Sequence, residues 1–128
     1  SVLFGDDPQE TFRRAAEVKE RGFIAAKFGW GPIGRGSVEA DADHFVAARE
    51  GLGPDGLLLV DVGQIFGEDV DAAAARAPAL EAARAVWLEE PFAGSAYEAY
   101  GALARRLGES GLRLAGGEAA HNAHMARH

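Results

Sequence analysis

Short apolar runs alternate along the chain with longer segments in which apolar residues recur at helical spacing. The runs predict strands over 23–28, 57–62, 86–89 and 113–116, with residues 1–4 as the end of an earlier strand. The longer segments predict helices over 8–21, 39–50, 69–83 and 96–107, and a further helix that begins at 119. Successive strands end about 30 residues apart, which is the length of a βαβ unit. The pattern predicts an α/β fold with a parallel sheet, either part of an eight-stranded barrel or an open doubly wound sheet.

Residues with special backbone preferences support these helix boundaries. Asp7 and Pro8 suit the N-cap and the first position of the first helix, and Gly22 suits its end. Pro78 lies inside the third predicted helix. We expect it to kink or split that helix, because proline lacks the N–H group that an interior position donates.

Composition excludes several classes of protein. The chain has 128 residues, a length that allows one domain. Its net charge of −7 argues against a nucleic-acid partner, which would need clustered lysine and arginine. No apolar stretch approaches the ~20 residues of a membrane span, and no cysteine is present for disulfides or thiolate chemistry. We therefore expect a soluble, cytoplasmic protein without nucleic-acid or membrane partners.

Three predicted strands each deliver a carboxylate at the same end. The segment "LLVDVGQIF" reaches Asp61, "VWLEEPF" reaches Glu89 and Glu90, and "LRLAGGE" reaches Glu118. Adjacent parallel strands lie ~4.8 Å apart, so acids at matched levels would repel one another and have raised pKa values. A divalent cation removes that cost, and all-oxygen ligation favours Mg²⁺, with Mn²⁺ second. The simpler interpretation is that each acid is only a loop residue or a helix cap.

The ordered segments "VDVGQ", "WLEEPF" and "AGGE" resemble the enolase superfamily, and within it the mandelate racemase-like subgroup. The resemblance implies a (β/α)8 TIM-type barrel of which residues 1–128 contain about strands 1–5, with a capping domain and the later strands outside this chain. It also implies that Asp61, Glu89 and Glu118 bind Mg²⁺. The implied chemistry is removal of the proton next to a substrate carboxylate, with positive charge stabilising the enediolate.

The end of the second strand departs from the subgroup's pattern. Members often carry Lys-x-Lys there, and the second lysine is the base. In "AAKFGWGP", Lys27 matches the first lysine and Gly29 stands at the second position. The resemblance implies that Lys27 is a catalytic residue that stabilises charge at the substrate carboxylate, while the base lies beyond residue 128. The simpler alternative is a lysine that only pairs with the nearby acids.

Further candidates flank these strand ends. Trp30 and Arg35, in the Gly-rich loop "GWGPIGRGS", are predicted to contact substrate, and so are His121 and Asn122, just after Glu118. The glycines of this loop do not have the G-x-G-x-x-G spacing of a dinucleotide site. A rival hypothesis is a zinc site, because three histidines share one face of the last predicted helix near Glu118, namely His121, His124 and His128.

The sequence thus favours an Mg²⁺-dependent enzyme that acts on a small-molecule carboxylate, specifically an acid-sugar dehydratase. Gly29 cannot carry a proton, and one base suffices for elimination, so dehydration is preferred to racemisation or epimerisation of a 2-hydroxy acid. The alternative from another class is a non-catalytic barrel fragment, and 128 residues alone are expected to be inactive. We expect the full-length protein to be a homo-oligomer.

Overall fold

A computed structural model describes residues 1–108 and 112–115 of the chain. Strands and helices alternate along these residues. The strands are β1 (Val2–Leu3), β2 (Ala25–Gly29), β3 (Leu57–Asp61), β4 (Ala85–Glu89) and β5 (Arg113–Ala115), and the helices are α1 (Pro8–Glu20), α2 (Val38–Leu52), α3 (Val70–Ala82) and α4 (Tyr97–Leu107). These elements confirm the predicted order, with boundaries that move by two residues at most. The helix predicted from residue 119 lies outside the described residues.

The described strands form one parallel sheet in the order β1-β2-β3-β4-β5. A doubly wound sheet reverses its strand order at a switch point, and this order shows no reversal. Strands that follow one another in sequence and in space, joined by right-handed crossovers, place all their helices on one face. The topology is that of consecutive βα units of a barrel, which decides between the two arrangements that the periodicity left open.

Alternation along each strand separates the two faces of the sheet. One set of side chains is buried in the core beneath the helices, and it includes Phe28, Leu58, Val60 and Leu88. The other set, which includes Lys27, Asp61 and Glu89, is only half-buried on the opposite face. A one-residue irregularity between β3 and β4 changes the register near Leu58, but the pairing is regular again where both strands end. This opposite face holds the candidate catalytic groups.

Side-chain caps precede three of the four helices that the structure describes. Asp7, Ser37 and Asp69 each accept a hydrogen bond from a backbone N–H three residues on, which satisfies a donor that the helix leaves unpaired. Pro78 lies within α3, and that helix runs without a break from Val70 to Ala82. Of the two outcomes expected for Pro78, the split is therefore wrong, and the kink stays a prediction. Buried residues lie on both sides of the proline, so core packing holds the two halves in one helix.

A buried polar chain joins the first two helices. The Gly5 N–H donates to Thr11 Oγ1, which lies 2.8 Å from His44 Nδ1. His44 is only 4% exposed, and burial lowers its pKa below 6.5, although Asp41 and other acids nearby oppose the effect. The imidazole is therefore neutral at neutral pH.

Across residues 1–108 and 112–115, no helix combines the length and the apolar character that crossing a membrane requires.

Candidate functional site

Asp61 and Glu89 lie side by side at the carboxyl ends of β3 and β4. The two residues are register partners in the parallel pair, as the matched strand ends in the sequence predicted. Asp61 Oδ1 accepts a hydrogen bond of 2.9 Å from the Gly63 N–H, which fixes the carboxylate orientation. Its other oxygen, Oδ2, faces the open side of the sheet, where Lys27 approaches.

Lys27 brings a positive charge to both acids. Its Nζ lies 2.9 Å from Glu89 Oε2 and 3.9 Å from Asp61 Oδ2. The lysine stands opposite Leu59 in the β2–β3 pair, two residues before the strand end, so its long side chain reaches upward to the carboxylates. The three groups are partly exposed and remain accessible to a small molecule. Three of the predicted site residues therefore form one cluster.

The electrostatics of the cluster favour a bound cation. Burial raises the pKa of Glu89 above its usual value, and the hydrogen bond and charge of Asp61 raise it further, while Lys27 acts in the opposite direction. Among the described residues, the carboxylates of Asp61 and Glu89 face the ammonium group of Lys27, so negative charge is in excess there. This is the condition in which an added positive charge is stabilising.

Gly29 occupies a position that has no room for a side chain. It pairs with Asp61, and a Cβ atom built on it would lie 2.7 Å from the Asp61 carbonyl oxygen. A lysine at this position would therefore require a different backbone. The close approach of β2 and β3 therefore explains why glycine stands at this position. A glycine there also means that no side chain at position 29 can carry a proton. Lys27 is the amine that β2 brings to the two carboxylates.

The indole of Trp30 forms one wall of the site. Its backbone is in the left-handed region, with φ of 58°, and its N–H donates to the Asp61 carbonyl. The ring lies against Gly63, where any Cβ would be 2.5 Å from it, yet the residue is 55% exposed. Trp30, Lys27 and Asp61 line a cavity of about 150 Å³ together with Gly29 and residues 1–3. Trp30 thus lines the cavity beside Lys27, and its contact with substrate stays a prediction.

Arg35 is not brought into this cavity. Its side chain is exposed, and Nε donates to the Gly31 carbonyl at 3.3 Å. Glu118, His121 and Asn122 lie outside the described residues, and so do the other histidines of the zinc hypothesis. Within residues 1–108 and 112–115, no three His, Asp or Glu side chains are grouped to hold a metal ion. Asp61 and Glu89 are the two predicted ligands that are described.

Comparisons with known proteins show the family to which the chain belongs. The family model described as "Enolase C-terminal domain-like" matches residues 10–128. The chain belongs to this family, within the enolase superfamily. The resemblance inferred from "VDVGQ", "WLEEPF" and "AGGE" is confirmed, and so is the barrel-type α/β fold.

Solved structures of this superfamily match the chain closely in fold. The crystal structure of a "predicted Mandelate racemase" from Rhodobacter sphaeroides is 65% identical, with a TM-score of 0.90 over 98% of this chain and 32% of that one. The 3,6-anhydro-D-galactonate cycloisomerase from Zobellia galactanivorans is 28% identical, with a TM-score of 0.72 over 84% of this chain and 28% of that one. D-glucarate dehydratase from Agrobacterium tumefaciens, complexed with magnesium, is 27% identical, with a TM-score of 0.68 over 79% and 27%. The chain thus spans about a third or less of these proteins. A search of curated proteins found no match.

The donor set of this superfamily member fits a hard divalent cation. Asp61 and Glu89 offer oxygen atoms on one face, and the chain has no cysteine to supply a thiolate ligand. Mg²⁺ prefers carboxylate oxygens and keeps part of its water shell, so two or three protein ligands suffice. The negative charge of these same two carboxylates, which Lys27 only partly offsets, also favours a cation.

Sequence reasoning left the role of Glu90 open. Its side chain is 5% exposed, Oε2 accepts from Gln64 Nε2 at 3.3 Å, and Oε1 has no hydrogen-bond partner among the described residues. Burial, with a contribution from Glu90, raises the pKa of Tyr100 to about 12. A non-glycine residue with positive φ follows the end of each of β2, β3 and β4, namely Trp30, Gln64 and Glu90. Strained backbone of this kind gathers at functional sites. In the sequence, Glu90 could have been found as the second acid of "VWLEEPF", and Gln64 as the glutamine that ends "VDVGQ".

Proposed function

We propose that this chain is part of an Mg²⁺-dependent enzyme that removes the proton α to the carboxylate of a small acid, and that the reaction is dehydration of an acid sugar. The observation that carries the proposal is the cluster of Asp61, Glu89 and Lys27 at neighbouring strand ends. Active sites of βα barrels lie at this end of the strands. The bound metal and the acid-sugar class follow the magnesium complex of D-glucarate dehydratase among the relatives.

Asp61 and Glu89 would hold the metal, and Glu118 is proposed as the third ligand. When bound, Mg²⁺ supplies Lewis-acid positive charge that binds and polarises a substrate carboxylate. The hydrogen bond from the Gly63 N–H keeps Asp61 oriented before the metal arrives. This preorganisation reduces the reorganisation that binding would otherwise require.

Lys27 is proposed to orient the substrate carboxylate and to stabilise the negative charge that develops on it. Its Nζ already lies within ion-pair distance of both acids, so a substrate bound beside them meets this ammonium group. A base outside the described residues takes the α-proton. Its conjugate acid then protonates the β-hydroxyl, which leaves as water, and the enol becomes a 2-keto-3-deoxy acid. The exposed Trp30 ring forms the wall against which the sugar chain lies.

Racemisation is the second candidate, and the 65% identical protein reported as a "predicted Mandelate racemase" favours it. Inversion needs a base that removes the proton from one face of the carbon and an acid that delivers a proton to the other face. Gly29 carries no proton, and its backbone leaves no space for a side chain. With Lys27 in the charge-stabilising role, one remaining base is enough for elimination but not for inversion. This is the argument for dehydration.

The test is turnover of a panel of acid sugars by the full-length protein in D₂O, with Mg²⁺ and after its removal by a chelator. Metal-dependent formation of a keto acid, without build-up of an epimer, is the expected result. Deuterium incorporation with inversion, and no keto acid, would establish the racemase instead. A folded, metal-loaded protein that produces neither would favour the non-catalytic alternative.

A further inference from the structure

A buried ion pair joins α2 and α3, apart from the proposed metal ligands. Arg76 Nε lies 3.0 Å from Asp41 Oδ2, and the two residues are only 7% and 1% exposed. Burying two charges is costly, and well-packed apolar residues in their place are often equally stable. The pair therefore calls for an explanation other than helix packing.

The remaining hydrogen bonds of the pair supply that explanation. Asp41 Oδ2 also accepts from the Gly34 N–H at 3.0 Å, and Arg76 NH2 donates to the Gly36 carbonyl at 3.2 Å. These two glycines lie on either side of Arg35, in the loop that connects β2 to α2. The planar guanidinium also donates to the Ala72 carbonyl through NH1, which fixes its orientation relative to α3. The pair thus fastens the backbone of residues 34–36 to both helices.

The same pair contacts the loop that connects β3 to α3. The Arg76 guanidinium lies 5.0 Å from the centre of the Phe66 ring. Gly34 approaches the neighbouring Ile65 so closely that a Cβ would be 2.5 Å from its Cγ2. At the other end of these loops, the Trp30 ring lies against Gly63. The two loops are therefore packed together from the buried pair to the cavity beside Lys27.

We propose that the Asp41–Arg76 pair is a positioning device that fixes the loop of residues 30–37, and with it Trp30, beside the cavity of the proposed active site. This inference rests on the proposed function, since it names the residues that hold its substrate-facing loop. An apolar pair could pack the same two helices. It could not bind a backbone N–H and a backbone carbonyl at defined points on either side of Arg35.

The expected consequence is a change in substrate binding with little change in the chemical step. Arg76→Met leaves Asp41 without its cation and releases the Gly36 carbonyl. We expect KM to rise roughly tenfold or more with kcat within about threefold, because the loop contacts substrate while Lys27 and the carboxylates stay in place. Arg76→Lys keeps the charge but lacks the planar fork, so an intermediate KM is expected. Arg106→Met is the matched control, because Arg106 lies in α4 and pairs at the surface with Asp71 of α3, the helix that also carries Arg76.

Hydrogen–deuterium exchange of the full-length protein gives a second readout that needs no substrate. Arg76→Met should speed amide exchange in residues 30–37 about tenfold, while β3 and β4 exchange at the wild-type rate. If this variant does not fold, Asp41→Asn replaces it, since it keeps an acceptor for Gly34 but removes the charge. Loop exchange at the wild-type rate, exchange that rises equally throughout the protein, or an unchanged KM would each overturn the positioning role. If the wild-type protein turns over no acid sugar, the proposed function fails, and the exchange of residues 30–37 alone decides this inference.

Discussion

Replacement of Gly29 by alanine tests whether the β2–β3 contact at the active site is as close as the structure indicates. The new Cβ would lie 2.7 Å from the Asp61 carbonyl oxygen, whereas ordinary contacts begin near 3.4 Å. One strand must therefore move by about 0.7 Å. The obstacle is backbone and cannot rotate away, so the strain falls on the residue that is proposed to bind the metal.

Two opposing effects determine the magnitude. In a strand, alanine stabilises the folded state by up to about 1 kcal/mol relative to glycine, because alanine has less conformational freedom to lose on folding. Overpacking of a close contact costs about 1–3 kcal/mol. We therefore expect a net destabilisation of about 1–2 kcal/mol and a melting temperature that is lower by a few degrees. Because Asp61 is displaced, we also expect Mg²⁺ affinity to fall about tenfold or more.

The assay compares thermal unfolding and Mg²⁺ titration calorimetry of full-length Gly29→Ala with those of Gly101→Ala. Gly101 is a matched control inside α4, where a Cβ would meet only the flexible end of Arg105 at 3.5 Å. That variant should be more stable by up to about 1 kcal/mol, since alanine favours a helix, and it should bind Mg²⁺ as the wild type does. A Gly29→Ala protein with the wild-type melting temperature and Mg²⁺ affinity would refute the reasoning.

Three further predictions address the metal, the pH dependence and the sheet edges. Glu89→Gln should abolish Mg²⁺-dependent turnover at an unchanged melting temperature; retained turnover would remove Glu89 from the ligand set. His44 has a lowered pKa when folded, so its contribution to stability is complete above pH 6.5 and is lost as the pH falls and the unfolded chain takes up a proton. Urea unfolding between pH 7 and 5 should show wild type losing stability relative to His44→Gln, by at most about 1.4 kcal/mol per pH unit, and equal slopes would contradict this. Residues 1–128 expressed alone should self-associate and show no turnover. The open face of the sheet exposes Leu3 and Leu57, and unpaired strand edges can pair with other chains. An active monomer in sedimentation analysis that melts cooperatively would disprove this.

Local chemistry made much of the fold predictable. Apolar runs bounded by glycine and proline, and caps such as Asp7, act over a few residues and placed every described strand and helix. Pro78 shows the limit of such reasoning. Its cost is local, but burial of residues on both sides of it outweighs that cost, and this burial depends on the rest of the fold.

The candidate site divides in the same way between sequence and tertiary structure. By itself, the sequence determined the family and the residues Asp61, Glu89 and Lys27, because acids that end successive strands of a parallel sheet must meet at one edge. Only the tertiary structure decided that Gly29 faces a backbone oxygen, that Trp30 rather than Arg35 lines the cavity, and that Asp41 and Arg76 bond the loop backbone at Gly34 and Gly36. These features depend on distances between segments far apart in the chain, set by register and helix packing, and no local pattern of residues encodes them.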